Sequence, residues 1–420
     1  MTGTTFQTAF RSRVLRTPVL LLFVAAGAFC APAGAAEDLS LDQALKTALT
    51  HRSELRAVDE REQAAQGLRR QAGAVPNPRF FYQSENLRPE MDFGQNVDTY
   101  VYAVQPIEVS GRRGARIQVA QGGIGQAALN RDLQRQEIEY AVAQSFWDAL
   151  RLVYLRKLAE ETQGFYREML DYHQKRFNEG KLAAVDLMRI QLEFARAQTR
   201  AESSRLAEAQ AMQKLAQEMG LAVPGAWELK AEFEALNEPR PEALTDKAFE
   251  QRMDVKLAAQ RIEAARANLM LQQAQGRPDL DMVLGYKRTA GNNTMLGGMQ
   301  MNLPFWDRNR GGVQASRSDL AAEHSALTAA ELKSESEWKL AHTAYLTWQR
   351  EVNELYAPML AQSKEIAGIS RAAYREGGLD LLRLLDAERL RVETQTAWAE
   401  ALGNYHQSVL TLHYAAGLEP

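Results

Sequence analysis

The chain has 420 residues, a formal net charge of −3, 45% hydrophobic and 25% charged residues, and a single cysteine. That balance excludes the basic excess of a nucleic-acid binder, and beyond the N-terminus no apolar run is long enough for a membrane helix, so entry into a bilayer would have to use strands. One cysteine excludes a disulfide framework; no nucleophile motif, phosphate loop or ligand-spaced cluster marks an enzyme, so no catalytic residue, cofactor or metal site is expected.

Arg11, Arg13 and Arg16 precede an apolar run over residues 19–25 and a small-residue tract over 31–36. This is the pattern of a secretory signal peptide over residues 1–36, cleaved after Ala35 or Ala36. Cys30 follows Phe29, a poor lead into a lipid-attachment site, so it is expected to leave with the signal; a weak lipidation site is the alternative.

Residues 37–220 read as a first unit. Ser40 with Gln43 forms a capping box, and apolar positions at helical spacing carry a helix to about Ala74, before Pro76 and Pro78. Residues 79–105 read as a hairpin with a long tip. It ends in the corner Gln105-Pro-Ile-Glu-Val-Ser-Gly-Arg-Arg-Gly-Ala-Arg116, where Pro106 should end the ladder for want of an N–H and Gly111 should supply the turn. Helical periodicity then holds from about Arg113 to Phe177, a rod of ~100 Å at 1.5 Å per residue. Gly180 breaks it, and a second helix runs to about Met219. Residues 221–241, with three prolines, read as a linker.

Residues 242–420 repeat that order. A helix over 243–275 leads to a hairpin over 279–303, with Leu280, Met282, Leu284 and Tyr286 on one face and Asp281, Val283, Gly285 and Lys287 on the other. A second corner, Met301-Asn-Leu-Pro-Phe-Trp-Asp-Arg-Asn-Arg-Gly-Gly312, echoes the first: an alternating run meets Pro304, an Arg-rich turn and glycine, here Gly311. Another long helix reaches about Tyr374, a break falls at Gly377, and the last helix ends near Ala416. The chain is thus a tandem repeat, mainly α with a small β part.

Four strands with one apolar face suit a barrel wall, yet membrane barrels begin near eight strands because open edges are costly in lipid. The long helices likewise need partners that one chain cannot provide. Several copies sharing a barrel and a helical tube satisfy both demands; an elongated soluble coiled coil would leave the strands unexplained.

On these features the chain resembles the TolC-type outer membrane factors over essentially all of its mature length. Gln105-Pro-Ile-Glu-Val-Ser-Gly-Arg-Arg-Gly and Leu303-Pro-Phe-Trp-Asp-Arg-Asn-Arg-Gly resemble the corresponding segments of the cobalt-zinc-cadmium efflux branch. The resemblance implies a homotrimer in the cell outer membrane, with a barrel of about twelve strands continued by a periplasmic α-barrel. It also implies a periplasmic adaptor (membrane fusion) protein, an inner-membrane RND pump, and a passive conduit for divalent heavy-metal cations. Type I protein secretion and drug efflux share the fold and remain alternatives.

In such channels the glycine breaks form the periplasmic tips, and acids just beyond them narrow the pore. Asp186 matches the gate acid of the first tip and Asp386 one of two acids of the second; Arg383 occupies the other acidic position, a departure that suggests pairing with Asp386. Both acids also stand where the helix dipole favours negative charge. The six histidines are scattered and expected on solvated helix positions, Met299 and Met301 read as a lipid-facing pair, and aromatics near the strand ends read as interfacial girdles.

Overall fold

The computed structural model describes residues 37–87 and 97–419; the expected signal peptide, Cys30 and most of the first hairpin's tip lie outside them. The short strand β1 (Glu37–Leu39) opens the described chain, followed by α1 (Leu41–His51) and α2 (Ser53–Ala72). The capping box forms: the Ser40 hydroxyl accepts from Gln43 N–H, and the Gln43 side chain accepts from Ser40 N–H at 2.8 Å. Strands β2 (Arg79–Glu85) and β3 (Asp98–Ile107) lead into α3 (Arg112–Asn178), an unbroken helix of 67 residues. Helix α4 (Ala184–Glu218) returns, and β4 (Trp227–Leu229) lies in the connecting segment.

The second repeat comprises α5 (Met253–Gln275), β5 (Leu280–Thr289), β6 (Asn292–Met301) and α6 (Arg310–Arg350), a π-helical turn over Glu351–Tyr356, α7 (Ala357–Arg375) and α8 (Leu381–Ala415). The π turn stands directly before Pro358, which has no N–H for the helical ladder; widening the preceding turn relieves the clash a proline ring makes with the turn before it.

Both hairpins join one antiparallel sheet in the order β2-β3-β5-β6. The β5–β6 turn is two residues long, with positive φ at Ala290 (48°) and Gly291 (81°), as a tight hairpin requires. The register gathers Phe80, Tyr82, Ile107, Leu284, Tyr286, Met295, Met299 and Met301 on one face, all exposed. The opposite face carries Gln83, Lys287, Thr294 and Gln300, with Arg79 bound to Asp281 at 2.7 Å.

Away from the sheet the long helices pair side by side, α3 with α4 and α7 with α8. The core sits where α3, α6 and α8 cross the connecting segment, around Phe146, Trp147, Trp338, Leu402, Tyr405 and Leu412.

Several expectations are corrected. The first helix is interrupted at Arg52, and the helix expected from residue 243 begins at Met253, after two short 3-10 turns. Both changes have one cause. Arg52 and Arg252 adopt extended backbone at joints that meet Gly220 and Gly417, where an added Cβ would lie 3.1 Å and 3.0 Å from the facing backbone. The linker is also ordered: β4 pairs in parallel with β1, and buried side chains stitch the rest to the core. Tyr405 donates to Asn237 O at 2.9 Å and Trp338 to Ala243 O at 2.9 Å, while His413 Nε2 accepts from Arg240 N–H at 3.0 Å. His173, His406 and His413 are therefore buried rather than solvated, because each finds a backbone partner.

Candidate functional site

Three places concentrate the functional candidates: two helix tips and the seam between sheet and helices. At the first tip α3 ends in a double hydrogen-bond closure, Gly180 N–H to Phe177 O at 2.9 Å and Lys181 N–H to Arg176 O at 2.8 Å. The second tip repeats it, Gly377 N–H to Tyr374 O at 3.1 Å and Gly378 N–H to Ala373 O at 2.9 Å. Gly180 (φ 71°) and Gly377 (φ 80°) hold the left-handed position this closure requires, where a Cβ is strained.

Beyond the tips, Asp186 is half-buried in the first turn of α4, while Arg383 and Asp386 are exposed on the opening turns of α8. Arg383 does not reach Asp386. Its guanidinium lies 3.5 Å from Asp380, which also caps α8 by accepting from Arg383 N–H at 2.9 Å. Asp380 was not singled out by sequence, although an Asp just before a helical run is a capping signal. Counted from the tip glycines, Asp186 and Arg383 occupy equivalent positions, and so do Arg189 and Asp386. The two tips thus carry the same acid–base spacing with its signs exchanged, and no ion pair joins the two sets among the described residues.

Just above the tips, α3, α7 and α8 are tied together. The Glu388 carboxylate, 1% exposed, accepts from Arg371 (2.8 Å through Nη2) and from Arg391 Nε at 3.0 Å; Arg391 also lies 3.3 Å from Glu161. His173 Nδ1 donates to Met169 O at 2.7 Å, which leaves Nε2 to accept from the Tyr374 hydroxyl at 2.5 Å and so bridges α3 to α7. Burial holds the His173 imidazole below its usual pKa.

The two corners differ in detail. Gly111 takes the left-handed N-cap position of α3 (φ 84°), but Asn309 (φ 54°), not Gly311, takes it for α6; Gly311 lies within the helix. Pro106 does not end the ladder, because it pairs opposite Asp281. It is accommodated there because β2 pairs β3 only as far as Val104, leaving that side open. Pro304 does lie past the end of β6. Among the described residues no group of His, Cys, Asp and Glu could hold a metal ion.

A four-stranded sheet with both edges open, carried on antiparallel helix pairs in two repeats, defines the TolC-like channel fold. The crystal structure of CusC, which addresses its folding and transmembrane channel formation, superposes with a TM-score of 0.76 at 17% identity, covering 91% of this chain and 92% of that one. The chain belongs to the outer membrane efflux protein family, whose model matches residues 44–221 and 244–418. It is thus an outer membrane channel component that extends into the periplasm. It is 24% identical over 396 residues to the cobalt-zinc-cadmium resistance protein CzcC of Cupriavidus metallidurans, covering 92% of each chain. It is 27% identical over 324 residues to the nickel-cobalt-cadmium resistance protein NccC of Alcaligenes xylosoxydans xylosoxydans, covering 75% of this chain and 71% of that one.

Proposed function

We propose that three copies of this chain form the outer membrane conduit of a tripartite efflux system that exports divalent heavy-metal cations, driven by an inner-membrane RND pump through a periplasmic adaptor. The kinship to CzcC across nearly the full length of both chains carries the metal reading. The trimer rests on unmet surface. The outer sides of β2 and β6 have no partner among the described residues, and an open edge cannot stay in lipid. Val185, Met188 and Leu192 on α4 and Met359, Ile366 and Ile369 on α7 are exposed apolar residues at helical spacing, suited to equivalent helices of neighbouring copies.

In the closed ring, Asp186, Arg383 and Asp386 line the pore at its periplasmic end. The exchanged signs at the two tips favour contacts between them, Asp186 towards Arg383 and Arg189 towards Asp386, rather than a purely acidic ring. Deletion in the native host tests the function. Lost growth on zinc, cadmium, cobalt or nickel salts is expected; sensitivity to drugs alone, or loss of a secreted protein, would overturn the metal reading.

A further inference from the structure

The two corners occupy equivalent places between sheet and helix, yet their charges are used differently. In the first, every arginine is engaged. Arg112 lies 3.0 Å from Asp279 and donates to the carbonyls ending α5, Arg113 donates to Gly73 O at 2.8 Å at the end of α2, and Arg116 binds Glu108 through both nitrogens. Arg112 and Arg116 are thus neutralised by acids, and Arg113 is tied by its one carbonyl bond to the end of α2.

In the second corner the residue equivalent to Glu108 is Trp306. It is 97% exposed, and Phe305 beside it is 65% exposed. Arg308 makes one hydrogen bond, to the carbonyl of Pro304 at 3.2 Å, and Arg310 has neither ion pair nor hydrogen bond among the described residues. The one acid in the turn, Asp307, accepts from Asn309 N–H at 2.8 Å. Above this turn runs the exposed apolar strip of β6, through Met295, Met299 and Met301 to Leu303 and Phe305.

We infer that the second corner is a binding site for the phosphate of an anionic glycerophospholipid in the periplasmic leaflet of the outer membrane. The inference rests on the outer membrane placement of the sheet. Trp306 and Phe305 continue the lipid-facing strip to the depth where acyl chains meet headgroups, the depth at which amphipathic rings settle. Arg308 and Arg310, unneutralised and directly below, meet the phosphodiester. Their charge complements that of an anionic surface, and the guanidinium fork matches phosphate oxygens. The first corner has Val109 at its surface and the acid Glu108 where the second has Trp306, so the aromatic anchor is confined to the second corner.

The test uses the full-length protein reconstituted in phosphatidylcholine vesicles, with Trp306→Phe subtracted to isolate one of the six tryptophans. Trp306 fluorescence is expected to be quenched more by chains brominated near the headgroup than by chains brominated near their ends, and little by aqueous iodide. A minor fraction of brominated phosphatidylglycerol should quench it beyond the same fraction of brominated phosphatidylcholine. That excess should fall roughly fivefold in Arg308→Gln and again in Arg310→Gln. Iodide quenching without lipid quenching would make Trp306 a solvent residue and overturn the inference. Quenching by neither would assign it to a contact with a second copy, and an unchanged phosphatidylglycerol excess in both arginine variants would remove the phosphate site. Trimer migration and channel conductance, measured on the same samples, separate failure of the anchor from failure of the channel.

Discussion

The two repeats share an order of elements and a closing motif at every tip, yet they are not equivalent in the molecule. Helix α4 of the first repeat is mostly exposed, whereas α8 of the second is buried along most of its length. Helix α3 is one continuous rod, whereas its counterpart is divided by a π turn and Pro358. Where α8 places the buried Glu388, α4 has the exposed Gln191 at the equivalent step from its tip. The repeats share their geometry, and burial separates their returning helices: α4 mostly presents surface, while α8 packs with α3 to hold the protomer together.

Substitutions at equivalent positions separate these roles. Glu388→Ala leaves Arg391 buried without its carboxylate and should cost about 3–5 kcal/mol, read as a large fall in the unfolding midpoint, while Gln191→Ala should stay within about 0.5 kcal/mol. Similar losses from the two would erase the distinction. At the tips the motif is the same, so Gly180→Ala and Gly377→Ala should each cost about 1 kcal/mol. Markedly unequal losses would show that the tips are packed differently in the assembly.

Acid should act mainly through the second repeat. Burial lowers the pKa of His406 and His413, both on α8, as it does that of His173. A depressed histidine pKa means that the unfolded chain binds protons first. The stability these residues contribute is complete above the unfolded value of about 6.5 and is lost as pH falls below it. His413 is the most sensitive, since its Nε2 accepts the Arg240 N–H and a protonated ring cannot. His406 Nε2 instead donates to Phe233 O and keeps that bond when charged. Thermal unfolding followed from pH 7.5 to 5 should therefore show a smaller drop in His413→Gln than in the parent.

The smallest effect concerns the exchanged charges. Asp386→Ala should raise single-channel conductance and weaken cation preference; unchanged values would remove Asp386 from the gate. A double-mutant cycle of Arg189→Ala with Asp386→Ala should show a coupling of about 0.2–1 kcal/mol in trimer unfolding, and none if the tips do not meet.

Most of the architecture was legible because long periodic helices, alternating strands and glycine breaks are local signals. Strand β4 was not, since three residues cannot display a period, nor were the joints at Arg52 and Arg252, which are set by glycines more than 160 positions away in sequence. The burial of His173, His406 and His413 was not legible for the same reason: that of His413 depends on a backbone N–H from the connecting segment. The gate candidates were found by resemblance alone, and their sign exchange emerges only when the tip glycines supply a common origin for counting. The left-handed cap at Asn309 is not marked by a local pattern, because glycines two and three residues on offer the same conformation at lower cost, although asparagine also tolerates it.

The pairing of β1 with β4 sets an order of events during biogenesis. Glu37 to Leu39 are among the first described residues, yet their ladder partners, Trp227 to Leu229, follow only after the whole first repeat. As the chain emerges N-terminus first, this ladder must wait, and contacts so distant in sequence form slowly. The β1–β4 ladder is thus a late seal, closed only once α3 and α4 have both been delivered.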